Sequence, residues 1–399
     1  MACDSPLEVY RRKGVKRPDG SPAYTMTVTP DRLDDWPTPV PCGSCTGCLL
    51  DKRSEWIDRA VEETRGVSAI AAILITYRDA PLVDAFGDLV KGFRAEHCIA
   101  SCEFGPRSRV GELPHWTLVY RHVQLALKHL RREVDRLWRR AIGCALSERR
   151  LRLAVRFARE RPSFKFLLNG EYSPTSGRPH FHLLLSGWYP GASEWERWFL
   201  MQEGKRGWIE GYRPVVVRQG TRKAASGLPV SESAWFNRTI WKYGYARFQR
   251  VDGVAGAAGY VAGYLMKRDE YPRDGRRPPF IQASMRYGAA PFRERADGSE
   301  PHGWQWIRTD SYVRMAGGKP PREVVVNRYW LRFAERFDPF GVRELKERRR
   351  VKFLMDPRNH PEVRRHWRDL AREVRRLRIA SQRDEVASFR RDGVGDVYG

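Results

Sequence analysis

Two histidines, His180 and His182, stand one residue apart in the stretch GRPHFHLLLSGW, in a chain with only 9 histidines among 399 residues. Alternate residues of a β-strand point to the same face. The two imidazoles therefore project together, while Phe181, Leu183 and Leu185 turn the other way into a core. Glu171, near the end of the preceding strand-like run FKFLLNGEY (164–172), offers a carboxylate. Two ring nitrogens and one carboxylate oxygen, with room for water and substrate oxygens, suit Mg2+ or Mn2+. The condition is one of register: Glu171 has to pair opposite His180 or His182, and not opposite Phe181. A His-x-His pair alone is a weak signal that coincidence also produces, and the nearby carboxylate strengthens it.

A second group lies in AAGYVAGYLMK (257–267), where Tyr260 and Tyr264 are four apart and Lys267 follows three later. On a helix these share one face, the phenols about 5–6 Å apart. Tyrosine is more often a packing residue than a nucleophile, but Ala257, Ala258, Gly259, Ala262 and Gly263 are small neighbours that leave the phenols accessible. A third group is Cys42, Cys45 and Cys48, spaced C-x2-C-x2-C, with Cys3 as a candidate fourth thiol. That spacing fits a Zn2+ site. An iron–sulfur cluster is a weaker fit, because Lys52 stands where the next cysteine of that motif falls, and buried free thiols are the bland alternative. Cys98, Cys102 and Cys144 read as ordinary small residues, with Cys98 and Cys102 a weaker metal pair.

These residues need elements to hold them. The first 48 residues are rich in Pro and Gly and show little regular pattern. A helix is expected over 49–64 and a buried strand over 69–77, AIAAILITY. A long basic amphipathic helix over 117–141 carries Leu118, Val119, Val123, Leu127, Leu130, Val134 and Leu137 on one stripe. The 164–172 strand, the turn-rich SPTSGRP (173–179) and HFHLLLSGW form a hairpin, followed by a short strand at 245–251 and the tyrosine helix. The expected fold is α+β: a central antiparallel sheet of about five strands, the histidines on a central strand, helices packed on the opposite face. Four segments follow: a Cys-rich start with the first helix (1–66), a main domain (67–270), an irregular extension (271–340) and a basic helical tail (341–399). The tail holds 17 basic and 10 acidic side chains, which suits either a solvated face or DNA contact.

Composition points to a polyanion. Lys and Arg number 73 against 48 Asp and Glu, a net charge of +25, and each phosphate neutralised by such groups releases counterions. Basic and aromatic residues interleave at 138–157 and 241–251, where rings could stack on bases and arginines could hold phosphates. The N-terminus lacks an apolar core and no apolar run is long enough to span a bilayer, so a soluble cytoplasmic protein is expected.

GEYSPTSGRPHFHLLLSG followed by AAGYVAGYLMK resembles the replication initiators of small single-stranded DNA bacteriophages, the microvirus group, within the His-hydrophobic-His (HUH) endonucleases. PCGSCTGCLLDKRSEWIDRAVEE (41–63) looks like the family's Cys-rich start and first helix, ILITYRDAPL (73–82) like its first strand motif, and VQLALKHLRR (123–132) like its basic helix. PFIQASMRYG (279–288) and KPPREVVVNRYW (319–330) are weaker landmarks.

The resemblance implies a DNA endonuclease with strand-transfer activity. It would nick at a replication origin, attach covalently to the new 5′ end and leave a 3′ hydroxyl to prime rolling-circle replication. Carried onto this chain, His180 and His182 would hold the metal, with Glu171 as third ligand. Tyr260 and Tyr264 would be nucleophiles and Lys267 would stabilise the reacting groups, while Arg178, Thr76 and Tyr77 would meet DNA. Single-stranded or supercoiled origin DNA, with a host helicase and polymerase, would be the partners in a host bacterial cytoplasm. Two other readings stay open: a zinc-containing DNA-binding protein whose His and Tyr residues are structural, and a related HUH relaxase or transposase.

Overall fold

A computed structural model describes residues 7–16, 22–26, 33–43, 45–65, 67, 69–77, 118–173, 179–200, 209–218, 229–251, 278–294, 298–314, 322–357 and 373. The chain divides into two compact units. The first takes in 1–52, 307–310 and 331–399. It opens with a three-stranded antiparallel sheet of β1 (Leu7–Lys16), β2 (Pro22–Thr25) and β3 (Leu33–Val40), with β1 in the middle. This corrects the expectation of an irregular start. The Pro- and Asp-rich β3 conceals the pairing, because Pro cannot donate to a ladder and strand alternation is broken. Helix α1 (Thr46–Thr64) follows.

The second unit holds the main sheet. In chain order its strands are β4 (Ile70–Tyr77), β5 (Lys165–Tyr172), β6 (Pro179–Ser186), β7 (Val215–Arg218), β8 (Val230–Glu232), β9 (Gly244–Arg250) and β10 (Phe280–Ala283). Their order across the sheet is β10-β5-β6-β4-β9-β8-β7, and every pairing is antiparallel. The sheet thus has seven strands rather than about five. Four of the seven, β4, β5, β6 and β9, fall on runs placed by the sequence; the other three are FIQA, VSE and VVVR, too short to show a period of two. A β11 (Ser311–Arg314) and β12 (Arg322–Val325) hairpin comes later in the same unit.

One sheet face is a continuous apolar layer. Ile73, Ile75, Tyr77, Phe181, Leu183, Leu185, Leu168 and Phe248 pack there against α2 (Tyr120–Ser147) and α3 (Leu151–Arg159). The stripe of α2, from Val123 through Leu127, Leu130, Val134 and Leu137 to Ala141, is buried at three- and four-residue spacing. Arg149, with a φ of 60°, turns the chain between α2 and α3. The short helices α4 (Glu194–Phe199) and α5 (Ala234–Thr239) add Trp195, Phe199, Trp235 and Phe236 to the layer.

Helices do not keep to that side. On the opposite face, Trp56 and Ala60 of α1 pack with Ile70, Leu167, Leu184 and Tyr287 over one end of the strands. The other end of that face carries the histidines. A 3-10 turn at Ala290–Phe292 and helices α6 (His302–Thr309), α7 (Arg328–Ala334) and α8 (Pro339–Met355) complete the described elements. No described helix is long and apolar enough to cross a membrane.

Candidate metal centre and nucleic-acid surface

Strand alternation and register together build the site. In the β5–β6 pair Glu171 lies opposite His180, and Asn169 opposite His182. Directly opposed residues share a face, so the register condition is met and all four side chains project from the same side. His180 Nε2 is 2.8 Å and His182 Nε2 2.9 Å from the same oxygen, Glu171 Oε1. A carboxylate can only accept, so both ring nitrogens donate to it. The two rings stand 5.1 Å apart between centroids and nearly perpendicular, at 78°.

The cluster is sheltered, with the His182 and Glu171 side chains 6% and 8% exposed. Burial works to raise the Glu171 carboxyl. The hydrogen bonds from His180 and His182, with their charge, outweigh it and hold the group down at about 2. Glu171 is therefore an anion at neutral pH, in the form that binds a cation.

The donor set fits a divalent metal. One ligand atom each from Glu171, His180 and His182 lies within 4.8 Å of the others. Imidazole nitrogens favour Mn2+ over Mg2+ among the hard cations. Both nitrogens would surrender their protons on binding, so binding should weaken in acid.

On β6's other neighbour, β4, Thr76 pairs with His180 and Leu74 with His182. One strand further, Tyr245 pairs with Thr76 and Arg247 with Leu74. The histidine face therefore continues into Thr76, a half-exposed Tyr245 ring (51%) and Arg247, each strand adding about 4.8 Å. Tyr77, a candidate DNA contact, turns to the opposite face and is 1% exposed. It packs on Phe181 and Trp241, with its hydroxyl 3.0 Å from His122 Nδ1. Such a position supports the core rather than meeting a ligand on the histidine side. Arg178, Tyr260, Tyr264, Lys267 and Cys3 lie outside the described residues, as do Cys98 and Cys102.

Two features escaped sequence reasoning. Asn169 is 1% exposed, and its Nδ2 has no hydrogen-bond partner among the described residues. Strand parity was the signal that could have found it, since Asn169 precedes Glu171 by two. The other is a cavity of about 400 Å3 lined by Lys128, His129 and Arg132 of α2 and by Ile240, Lys242 and Tyr243. Tyr243 stacks on His122 at 4.2 Å, and burial pushes that imidazole down to about 4. Cationic side chains around an aromatic ring suit a backbone phosphate beside a stacked base. This cavity lies where the VQLALKHLRR helix meets the loop before β9.

The site thus presents two imidazoles and a carboxylate from adjacent interior strands of an antiparallel sheet in an α+β fold. Comparison with known proteins adds a likeness in sequence. Residues 113–269 match the family model of the replication-associated protein ORF2, a span that includes Glu171, His180, His182 and the tyrosine pair. The chain is 23% identical over 230 residues to the Replication-associated protein ORF4 of Chlamydia phage 1. The match covers 58% of this chain and 38% of that protein. No solved structure matches the chain.

Proposed function

We propose that this chain initiates rolling-circle replication of a phage genome, nicking and rejoining single-stranded DNA at its origin through a covalent tyrosyl-5′-phosphate intermediate. The observation that carries the reading is the convergence of His180 and His182 on one carboxylate oxygen of Glu171, in a sheltered cluster on one face of the sheet. The similarity to replication-associated proteins supports a role in phage genome replication.

In this reading Glu171, His180 and His182 hold a divalent cation. When bound, it would supply positive charge to the non-bridging oxygens of the scissile phosphate, where charge builds during in-line displacement. Tyr260 or Tyr264 attacks phosphorus through its phenolate oxygen. The P–O3′ bond breaks as the Tyr–O–P bond forms, and the leaving 3′ oxygen takes up a proton. A free phenol ionises near pH 10, and the Lys267 cation favours the phenolate. Because an ester replaces an ester, the linkage is kept for rejoining. The second phenol cuts the regenerated origin, and the freed 3′ hydroxyl then attacks the first tyrosyl ester to close a circle.

Thr76, Tyr245 and Arg247 would line the DNA's path on the histidine face. Lys128, Arg132, Lys242 and Tyr243 would hold a flanking stretch in their cavity. A host helicase and polymerase in the bacterial cytoplasm would extend the 3′ end. The test is Mn2+-dependent nicking of origin DNA by wild type and by His182→Ala. Loss of nicking with DNA affinity retained is expected. Undiminished nicking by the variant would overturn the assignment of His182.

A further inference from the structure

Cys42, Cys45 and Cys48 form the other cluster of metal-binding groups among the described residues, and the nicking reading makes no use of them. We propose that their three thiolates bind one Zn2+ ion.

The argument is geometric. Gly43, at a φ of +80°, lets the chain turn tightly between Cys42 and the start of α1. Cys45 stands just before the helix and Cys48 in its first turn, so the chain wraps its sulfurs around a common point. The Cys45 N–H donates to Cys42 Sγ at 3.3 Å, and the Cys48 N–H to Cys45 Sγ at 3.5 Å. Both N–H groups point at sulfur from one short turn, so the backbone itself holds the sulfurs close together.

Spacing selects among the possible occupants. Zinc at about 2.3 Å from each thiolate in a tetrahedron requires sulfurs about 3.8 Å apart. The Cys42 and Cys48 sulfurs are 4.0 Å apart, and all three lie within 4.8 Å. A disulfide needs about 2.05 Å. An iron–sulfur cluster places iron and sulfide between its thiolates and spreads them wider, and its usual fourth cysteine is replaced here by Lys52. Three soft donors exclude Mg2+ and Ca2+ and favour Zn2+. The inference stands apart from the histidine site and can fail without it.

The test is metal analysis of the untagged full-length chain purified without chelator. One zinc per chain is expected, unchanged in His182→Ala and absent from Cys45→Ser. Should Cys45→Ser fail to fold, Co2+ titration of the wild-type chain gives an independent readout. Intense sulfur-to-cobalt charge-transfer absorption with tetrahedral visible bands supports the site. Any of three results overturns it: no zinc and no cobalt thiolate spectrum, iron with acid-labile sulfide, or a mass lower by two hydrogens showing a disulfide. Zinc lost in His182→Ala but kept in Cys45→Ser would also overturn it.

Discussion

Replacing Lys128, Arg132 and Lys242 together by alanine tests whether single-stranded DNA occupies the cavity between α2 and the loop before β9. All three line it and all are exposed, so truncation should shift folding stability by no more than about 0.5 kcal/mol each. Each phosphate neutralised on a single strand contributes about 0.7 to the slope of log K against log salt. Three lost contacts should lower that slope by about 2. With the contribution vanishing near 1 M salt, the loss at about 0.15 M is roughly 50-fold in affinity, near 2.4 kcal/mol. Fluorescence anisotropy of a labelled oligonucleotide across a salt series reads both quantities. Arg136→Ala is the control, because that guanidinium is already committed to Glu133 at 2.7 Å and should change the slope far less. A triple variant with the wild-type slope would remove the cavity from the DNA path.

Three other outcomes follow from the geometry. Glu171→Gln and His182→Ala should each weaken Mn2+ binding by more than the 10- to 100-fold typical of losing an outer-shell partner; calorimetric titration showing unchanged affinity would place the metal elsewhere. His122 has its folded pKa lowered to about 4 from 6.5, so between those values the unfolded chain binds the extra proton and stability rises with pH. About 3 kcal/mol should be lost as pH falls from 6.5 to 4, and a His122→Gln variant should lack that part of the dependence in urea denaturation; parallel curves would refute the assignment. Gly170 lies between Asn169 and Glu171, and a Cβ there would meet Leu118, Phe181 and Phe280 at 3.2 Å. Gly170→Ala should therefore cost about 1–3 kcal/mol by overpacking, and a thermal midpoint at or above wild type would show that the layer yields freely.

Strand alternation made His180 and His182 legible as a pair, and the same rule held more than was drawn from it. Thr76 and Tyr77 are consecutive on β4, so they cannot both face DNA, and parity with Ile73 and Ile75 already assigned Tyr77 to the core. Parity likewise joined Asn169 to Glu171. Register was different in kind. Nothing local in FKFLLNGEY decides whether Glu171 meets His180 or Phe181, because that depends on how the two strands slide as they pair. The stripe of α2 gave the long helix, whereas its stop depends on one residue, Arg149, taking a positive φ. Strands such as VSE and FIQA exist because neighbouring edges accept them, which no window of three or four residues can reveal. The same holds for the charged β1 and the proline-broken β3.

The central claim is that a cation held by Glu171, His180 and His182 serves a tyrosine that exchanges one DNA ester for another. Incubation of the full chain with Mn2+ and an internally labelled pool of randomised single-stranded DNA, run on a denaturing gel, addresses it directly. A labelled band should travel with the protein through SDS. It should disappear in His182→Ala and in the Tyr260→Phe, Tyr264→Phe double variant, while sequencing of the captured DNA reports one preferred site. Free cleaved fragments with no protein-bound label, or an adduct that survives both sets of substitutions, would contradict it.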